Sequence, residues 1–158
     1  MAETLTTPSS PTPFAVSPWS RWRIAALVAG DAISFLVFAG VGRNTHGEAS
    51  GLGALAQVAL TALPFALGWF VVSPWVGAYR RAATTGLRRM LARTELAWLA
   101  SYPAALILRF VIAPDPSLTT TQVITFALVI LFANALFLGV WRAVFALVEG
   151  WLTARRAS

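Results

Sequence analysis

The sequence contains no cysteine and a single histidine, His46. The missing cysteines exclude disulfide frameworks, thiolate metal sites, thiol nucleophiles and cysteine-linked lipid anchors within this chain. One imidazole excludes any site that needs two histidines from the same chain. Nothing in the sequence resembles a nucleophile with its base, a phosphate-binding glycine loop or a metal cluster, so we expect no enzyme, no cofactor and no metal.

Charged residues are also scarce. They make up 11% of the 158 residues, whereas 58% are hydrophobic. A soluble domain usually carries about a quarter charged residues. The apolar residues stand in long blocks and not at alternating positions, which also argues against a β-barrel. The composition therefore predicts an integral membrane protein.

Four apolar blocks each approach the roughly 20 residues needed to cross a bilayer core of about 30 Å. They cover about residues 24–41, 52–75, 91–112 and 120–148. We predict an all-α, polytopic bundle of four transmembrane helices over residues 21–158. Residues 1–20 are rich in Ser, Thr and Pro and predict a disordered tail. A cleaved signal peptide is the alternative, but no convincing small-residue cleavage site follows the first block.

The arginines predict the orientation, because positive residues near helix ends are retained on the cytoplasmic side. Ten of the 12 basic residues fall on one side when the helices are threaded in order. They precede the first helix, lie between the second and third, or follow the fourth, the last group being Arg142, Arg155 and Arg156. We therefore expect both termini to be cytoplasmic and the protein to be a multi-pass protein of the cell membrane.

The loop between the second and third helices is arginine-rich, and we expect it to contact anionic lipid headgroups at about 1 kcal/mol per arginine. Its basic residues are Arg80, Arg81, Arg88, Arg89 and Arg93. Because the arginines flank membrane helices and do not form a stripe on one folded face, we expect no binding to nucleic acid.

Asp31 is a carboxylate inside the first apolar block, roughly 10 Å into the core at 1.5 Å per residue. Facing lipid it would cost roughly 2.5 to 3.5 kcal/mol, so we expect it to face the bundle interior and find a partner. The same count places Asn134 and Trp98 near its level, and Glu95 about one turn closer to the cytoplasm. These four residues form a predicted buried polar or proton site, in which desolvation favours a protonated Asp31.

Two prolines and a glycine lie inside the second and third blocks: Pro64, Gly68 and Pro103. Each proline removes a backbone hydrogen bond, which predicts a kink or local unwinding. Such a kink suits a moving segment and equally a static, irregular bundle.

The segment "GRNTHGE" follows the first helix and places Arg43, His46 and Glu48 together at its outer end. This candidate outer-mouth cluster could transfer protons or bind an anion. The alternative is that these residues only cap and solvate the end of the helix.

The stretches "GDAISFLVFAGVGRNTHGE" and "TALPFALGWFVVSPWVGAY" resemble an uncharacterised family of small bacterial and haloarchaeal membrane proteins, domain of unknown function 3054. The most specific pieces are Gly30 with Asp31, then Gly42, Arg43 and His46, and finally Pro64, Phe65, Gly68 and Trp69. The resemblance implies the four-helix fold and no chemistry, and it strengthens Asp31, Arg43 and His46 as candidates.

Two functions stay open at this point. The first is a structural or accessory membrane protein whose buried polar layer around Asp31 fixes the helices. The second is a proton-coupled transporter or channel for a small solute, acting as a homo-oligomer with Asp31 as the protonatable site. The partners we expect are membrane lipids, and further copies of the chain or another membrane subunit.

Overall fold

The computed structural model describes residues 18–44, 52–80, 85–112, 114 and 116–157. These residues form four helices: α1 (Pro18–Asn44), α2 (Leu52–Val76), α3 (Leu87–Ile112) and α4 (Thr120–Ala157). Each is long and apolar enough to cross a membrane, and the described part of the chain contains no strand. The predicted all-α fold of four membrane-spanning helices is confirmed. Most of the predicted disordered tail lies outside the described residues.

The first and last helices are longer than their apolar blocks. Residues 18–20 are helical, so the tail predicted over residues 1–20 is wrong at its end. Proline is compatible with the first turn of a helix, because the N–H that it lacks would have no intrahelical acceptor there. The last helix, α4, has 38 residues, about 57 Å at 1.5 Å per residue, and so exceeds the thickness of a bilayer core.

The four helices form a closed ring of neighbours. The first and last helices, α1 and α4, pack against each other. In addition, α1 packs against α2, α2 against α3, and α3 against α4. The first and last helices of the chain are therefore in contact, and polar residues on them can meet across one interface.

Two glycines allow close approach between helices. A Cβ at Gly30 would lie 1.9 Å from a ring atom of Trp141, so the indole of α4 covers the backbone of α1. A Cβ at Gly68 would lie 2.8 Å from the backbone of Ala105 on α3. Side chains at either glycine would force these interfaces apart.

The bundle reverses the usual arrangement of a soluble protein. Large apolar side chains point outward, among them Val71, Ile107 and Leu136, which are 61, 65 and 64% exposed. The interior carries several polar side chains, listed here in chain order: Arg23, Asp31, Ser34, Ser73, Thr94, Ser101, Asn134 and Arg142. This distribution suits a chain whose solvent is lipid, with polar groups directed inward.

The interior is completed by aromatic rings. Phe35 on α1 contacts both Trp69 and Trp98, with ring centroids 6.4 and 5.9 Å apart. Both indoles are fully buried. The sequence positions of these tryptophans, deep within their apolar blocks, predict packing between helices, and the structure confirms it.

Pro64 and Pro103 lie within helices that continue on both sides of them, and a further proline, Pro74, lies in the last turn of α2. Neither α2 nor α3 is interrupted at these positions. Gly68, predicted as part of a kink, is the point where α2 approaches the backbone of Ala105.

Candidate functional site

The most prominent polar feature of the interior is an ion pair between the first and last helices. The guanidinium of Arg142 on α4 donates to both carboxylate oxygens of Asp31 on α1, from Nε to Oδ1 at 2.9 Å and from Nη2 to Oδ2 at 2.6 Å. Both side chains are fully buried. Paired N–H donors matched to the two carboxylate oxygens make this the bidentate geometry that fixes orientation as well as charge.

Two further donors reach the same carboxylate from α2 and the turn after it. The indole N–H of Trp69 donates to Asp31 Oδ2 at 3.0 Å, and the hydroxyl of Tyr79 donates to the same atom at 2.7 Å. Trp69 Nε1 also lies 3.0 Å from the Tyr79 oxygen, so the indole N–H is shared between two acceptors. We call Asp31, Trp69, Tyr79 and Arg142 the Asp31 network.

A glycine-terminated turn places Tyr79 in this network. At the end of α2, Gly77 has φ +82°, a left-handed conformation that glycine adopts without a steric penalty. Its N–H donates to the carbonyl of Pro74, and the N–H of Ala78 donates to that of Ser73, both at 3.0 Å. This pair of bonds defines a Schellman motif, which ends the helix and returns the chain toward the bundle.

The turn also supplies the third acceptor for the arginine. Arg142 Nη1 donates to the carbonyl oxygen of Ala78 at 3.0 Å. The guanidinium carbon lies 5.0 Å from the centre of the Tyr79 ring and 5.8 Å from that of Trp69. Hydrogen bonds and aromatic rings of the protein thus stabilise the guanidinium cation in the bundle interior.

The Asp31 carboxyl accepts hydrogen bonds from the other three members of its network. Arginine keeps its positive charge in proteins, and both guanidinium and indole groups only donate. Tyr79 lies beyond the membrane-spanning part of α2, Val58–Val76. Burial, and then the charge and hydrogen bond of Asp31, raise the pKa of its hydroxyl above the usual range, so it keeps the proton that it donates. The protonated Asp31 expected from desolvation alone stays a prediction.

A second ion pair links the same two helices nearer to their ends. Arg23 on α1 pairs with Glu149 on α4 through Nε and Oε1, and Arg23 Nη2 donates to Oε2 at 2.8 Å. Arg23 also lies over the ring of Phe145, 5.6 Å from its centre. Two bidentate pairs therefore fix how α1 and α4 lie against each other.

The partners predicted for Asp31 from depth counting are wrong. Asn134 is buried, but its Nδ2 donates to the carbonyl of Ile130 in its own helix at 3.1 Å. The indole of Trp98 donates to the carbonyl of Leu131 at 2.9 Å. Arg142, the actual partner, lies two helical turns beyond Asn134 along α4. The count failed because Arg142 was taken as a residue that flanks the fourth span, whereas α4 continues to Ala157. The count along α4 therefore began about two turns too far from its inner end.

Glu95, the remaining member of the predicted polar site, also lies apart from Asp31. It is on α3 and half-buried, beside Gly139 of α4. The structure thus brings none of Asn134, Trp98 and Glu95 to the Asp31 carboxylate.

The candidate outer-mouth cluster stays a prediction. Arg43 belongs to the last turn of α1, while its side chain, His46 and Glu48 lie outside the described residues. In the basic loop, the side chains of Arg80, Arg88, Arg89 and Arg93 are exposed, and Arg81 lies outside the described residues. Within the described part of the chain no group of His, Cys, Asp and Glu side chains is arranged to hold a metal ion.

Three members of the Asp31 network were missed in the sequence. Arg142 was assigned to the cytoplasmic flank of the fourth helix, which is wrong because it is fully buried. The sequence held a signal against that assignment, since the apolar run "AVFALV" continues directly beyond it. An acid in one apolar block and a base in another are then candidates to pair. Trp69 and Tyr79 offered no comparable signal, because their hydrogen bonds depend on helix rotation and on the turn at Gly77.

These observations define a small multi-pass helical membrane protein with an interior ion pair. The sequence model of a family described as "Protein of unknown function (DUF3054)" matches residues 28–145, which is 118 of the 158 residues. The chain belongs to this family, and the matched range contains every member of the Asp31 network. Neither the curated proteins nor the solved structures contain a match to this chain.

Proposed function

We propose that this chain is a structural or accessory protein of the cell membrane, in which the Asp31 network fixes the packing of the bundle. The observation that carries the proposal is the complete pairing of Asp31, whose two oxygens accept four hydrogen bonds from three side chains. A carboxyl that couples proton movement to transport must exchange its proton with water. Asp31 is fully buried, and both of its oxygens are already occupied by hydrogen-bond donors of the protein.

The network also joins parts of the chain that are far apart in sequence. Asp31 lies on the first helix, Trp69 and Tyr79 on or after the second, and Arg142 on the last. Each charge alone would be expensive in hydrocarbon, and together they neutralise each other. A complete bundle is thereby favoured over one in which α4 has not docked.

The orientation belongs to the same proposal. We propose that both termini and the basic loop face the cytoplasm, where Arg80, Arg88, Arg89 and Arg93 contact anionic headgroups. The burial of Arg142 removes one residue from the flanking group, and the remaining inner arginines still outnumber those predicted for the outer side.

The rival function is a proton-coupled transporter or channel that works as a homo-oligomer with Asp31 as its protonatable site. Vesicles that contain the wild type or Asp31→Asn, an imposed pH gradient and an internal pH dye separate the two. We expect equal, background-level proton flux from both proteins and lower thermal stability for Asp31→Asn. Asp31-dependent flux with wild-type folding would establish the transporter instead. Ile33→Ala, an exposed substitution on the same helix, is the matched control.

A further inference from the structure

Glu95 is a second acidic side chain within a membrane-spanning helix, and its surroundings differ from those of Asp31. It lies in the span Leu87–Ile112 and is half-buried. Its Oε1 lies 3.0 Å from the position that a Cβ on Gly139 would occupy, so the carboxyl rests in a notch that this glycine leaves open.

The notch lies in an open groove between α3 and α4. Besides Glu95, the groove is lined by Leu91, Ala135, Leu136, Gly139, Val140 and Ala143. Leu136 and Val140 are largely exposed on its rim. On α4, Ala135, Gly139 and Ala143 have small side chains or none, so another helix can approach the backbone closely.

The groove provides no hydrogen-bond donor for the acid. Within the described part of the chain, no hydrogen bond or ion pair is made by the Glu95 carboxyl, whereas Asp31 accepts four hydrogen bonds. Lipid tails supply no donor, and a charged carboxylate within the hydrocarbon is costly unless it finds a partner. The acid therefore requires a polar group that arrives with whatever occupies the groove.

We propose that the groove is an interface with a second copy of this chain, in which the two Glu95 carboxyls meet and share one proton. A two-fold axis along the membrane normal brings identical residues together at identical depth, so each Glu95 meets a carboxyl at its own level. Two adjacent carboxyls retain a proton, because they cannot both ionise at short distance. The protonated carboxyl then donates to the ionised one, and neither faces lipid.

A second copy satisfies this requirement better than a lipid does. A phospholipid carries its polar group at the surface, whereas Glu95 lies beside Gly139, about one turn further outward along α4 than the fully buried Arg142. This interface extends the proposed function by adding self-association, and it does not depend on the role of Asp31.

Disulfide cross-linking tests the interface, since the natural chain has no cysteine. Val140→Cys places a thiol on the rim of the groove. Ile33→Cys is the matched control on α1, with 57% exposure against 54% for Val140. The two are also matched in depth, because each lies two residues outward from the Asp31–Arg142 pair. In dilute liposomes treated with an oxidant, we expect a cross-linked dimer from Val140→Cys and little from Ile33→Cys. A monomeric Val140→Cys chain, or equal cross-linking at both sites, overturns the proposal.

Substitutions of Glu95 then test the acid pair in the Val140→Cys background. Glutamine retains a donor and an acceptor on each side, so Glu95→Gln keeps the dimer. Leucine retains neither, and Glu95→Leu weakens dimerisation by about three- to thirty-fold, the range for interhelical hydrogen bonds in membranes. Dimerisation equal to wild type in Glu95→Leu overturns the shared proton. Circular dichroism of both variants verifies that the helices are retained.

Discussion

Arg142 on the last helix donates to both carboxylate oxygens of Asp31 on the first, at 2.9 and 2.6 Å, and neither side chain is exposed. The pair is completed by Trp69 and Tyr79, which also donate to Asp31. A buried ion pair is stable only when its geometry is good and its remaining hydrogen-bonding groups are satisfied. Here both conditions hold, and they depend on three helices and one turn.

Tyr79→Phe tests the contribution of the turn to the Asp31 network. The substitution keeps the ring over Arg142 and removes the hydroxyl that donates to Asp31 at 2.7 Å. A hydrogen bond to a charged group contributes about 1.5 to 3 kcal/mol. We expect a loss of this size in the free energy of unfolding, measured in detergent micelles. Tyr102→Phe, whose hydroxyl donates to the carbonyl of Ala127, is the control for loss of a tyrosine hydroxyl elsewhere.

The titration of Tyr79 gives a prediction about pH. Burial and the Asp31 carboxylate raise the pKa of Tyr79 above its usual value of 10.0. The folded protein therefore holds this proton more tightly than the unfolded chain, so stability is complete below pH 10.0 and falls as the pH rises above it. In Tyr102→Phe, which leaves Tyr79 as the single tyrosine, phenolate absorbance is expected to appear well above pH 10.0. Titration of the folded protein at the ordinary value would contradict the buried hydrogen bond.

Gly30→Ala tests the contact between α1 and α4. The added methyl would lie within 1.9 Å of the Trp141 ring, so the indole or the helix must move. Overpacking of this kind costs about 1 to 3 kcal/mol. We expect a matching drop in unfolding free energy, and we expect Gly30→Ala to cost clearly less when it is introduced into the Trp141→Ala background. An equal cost in both backgrounds would place the strain elsewhere. Gly40→Ala is the control, because no atom lies within 4 Å of a Cβ there.

The topology is open to a labelling experiment in the cysteine-free chain. Thr153→Cys near the end of α4 and Thr85→Cys before α3 are expected to react with a membrane-impermeant maleimide only after the membrane is opened. Ser117→Cys, between α3 and α4, is expected to react in intact cells. These three residues are exposed. The reverse pattern would invert the orientation derived from the arginines.

The sequence was sufficient to predict that the chain forms four membrane-spanning helices, because a span needs roughly 20 predominantly apolar residues and four such blocks are present. It was also sufficient for the inward direction of Asp31, since a carboxylate facing lipid is costly. It was not sufficient for the partner. Depth counting selected Asn134, although Arg142 lies two turns further along the same helix. An arginine near the end of an apolar block is usually a flanking residue, but α4 continues to Ala157 and carries Arg142 inside the bundle.

Tyr79 shows a second limit of sequence reasoning. Gly77 in "SPWVGAY" is compatible with a helix end, but the direction of the returning chain follows from two backbone hydrogen bonds and a left-handed glycine. Only when this turn is formed do the Ala78 carbonyl and the Tyr79 hydroxyl reach the ion pair. Local sequence predicts the turn and not its tertiary contacts.

A double-mutant cycle of Asp31→Asn and Arg142→Gln, read out as the free energy of unfolding in micelles, tests the central claim most directly. Removal of one partner of a buried pair leaves an uncompensated charge, which costs about 3 to 5 kcal/mol. We expect each single variant to lose about this much and the double variant to lose clearly less than their sum. Strictly additive losses, or single variants as stable as the wild type, would contradict an ion pair that fixes the first helix to the last.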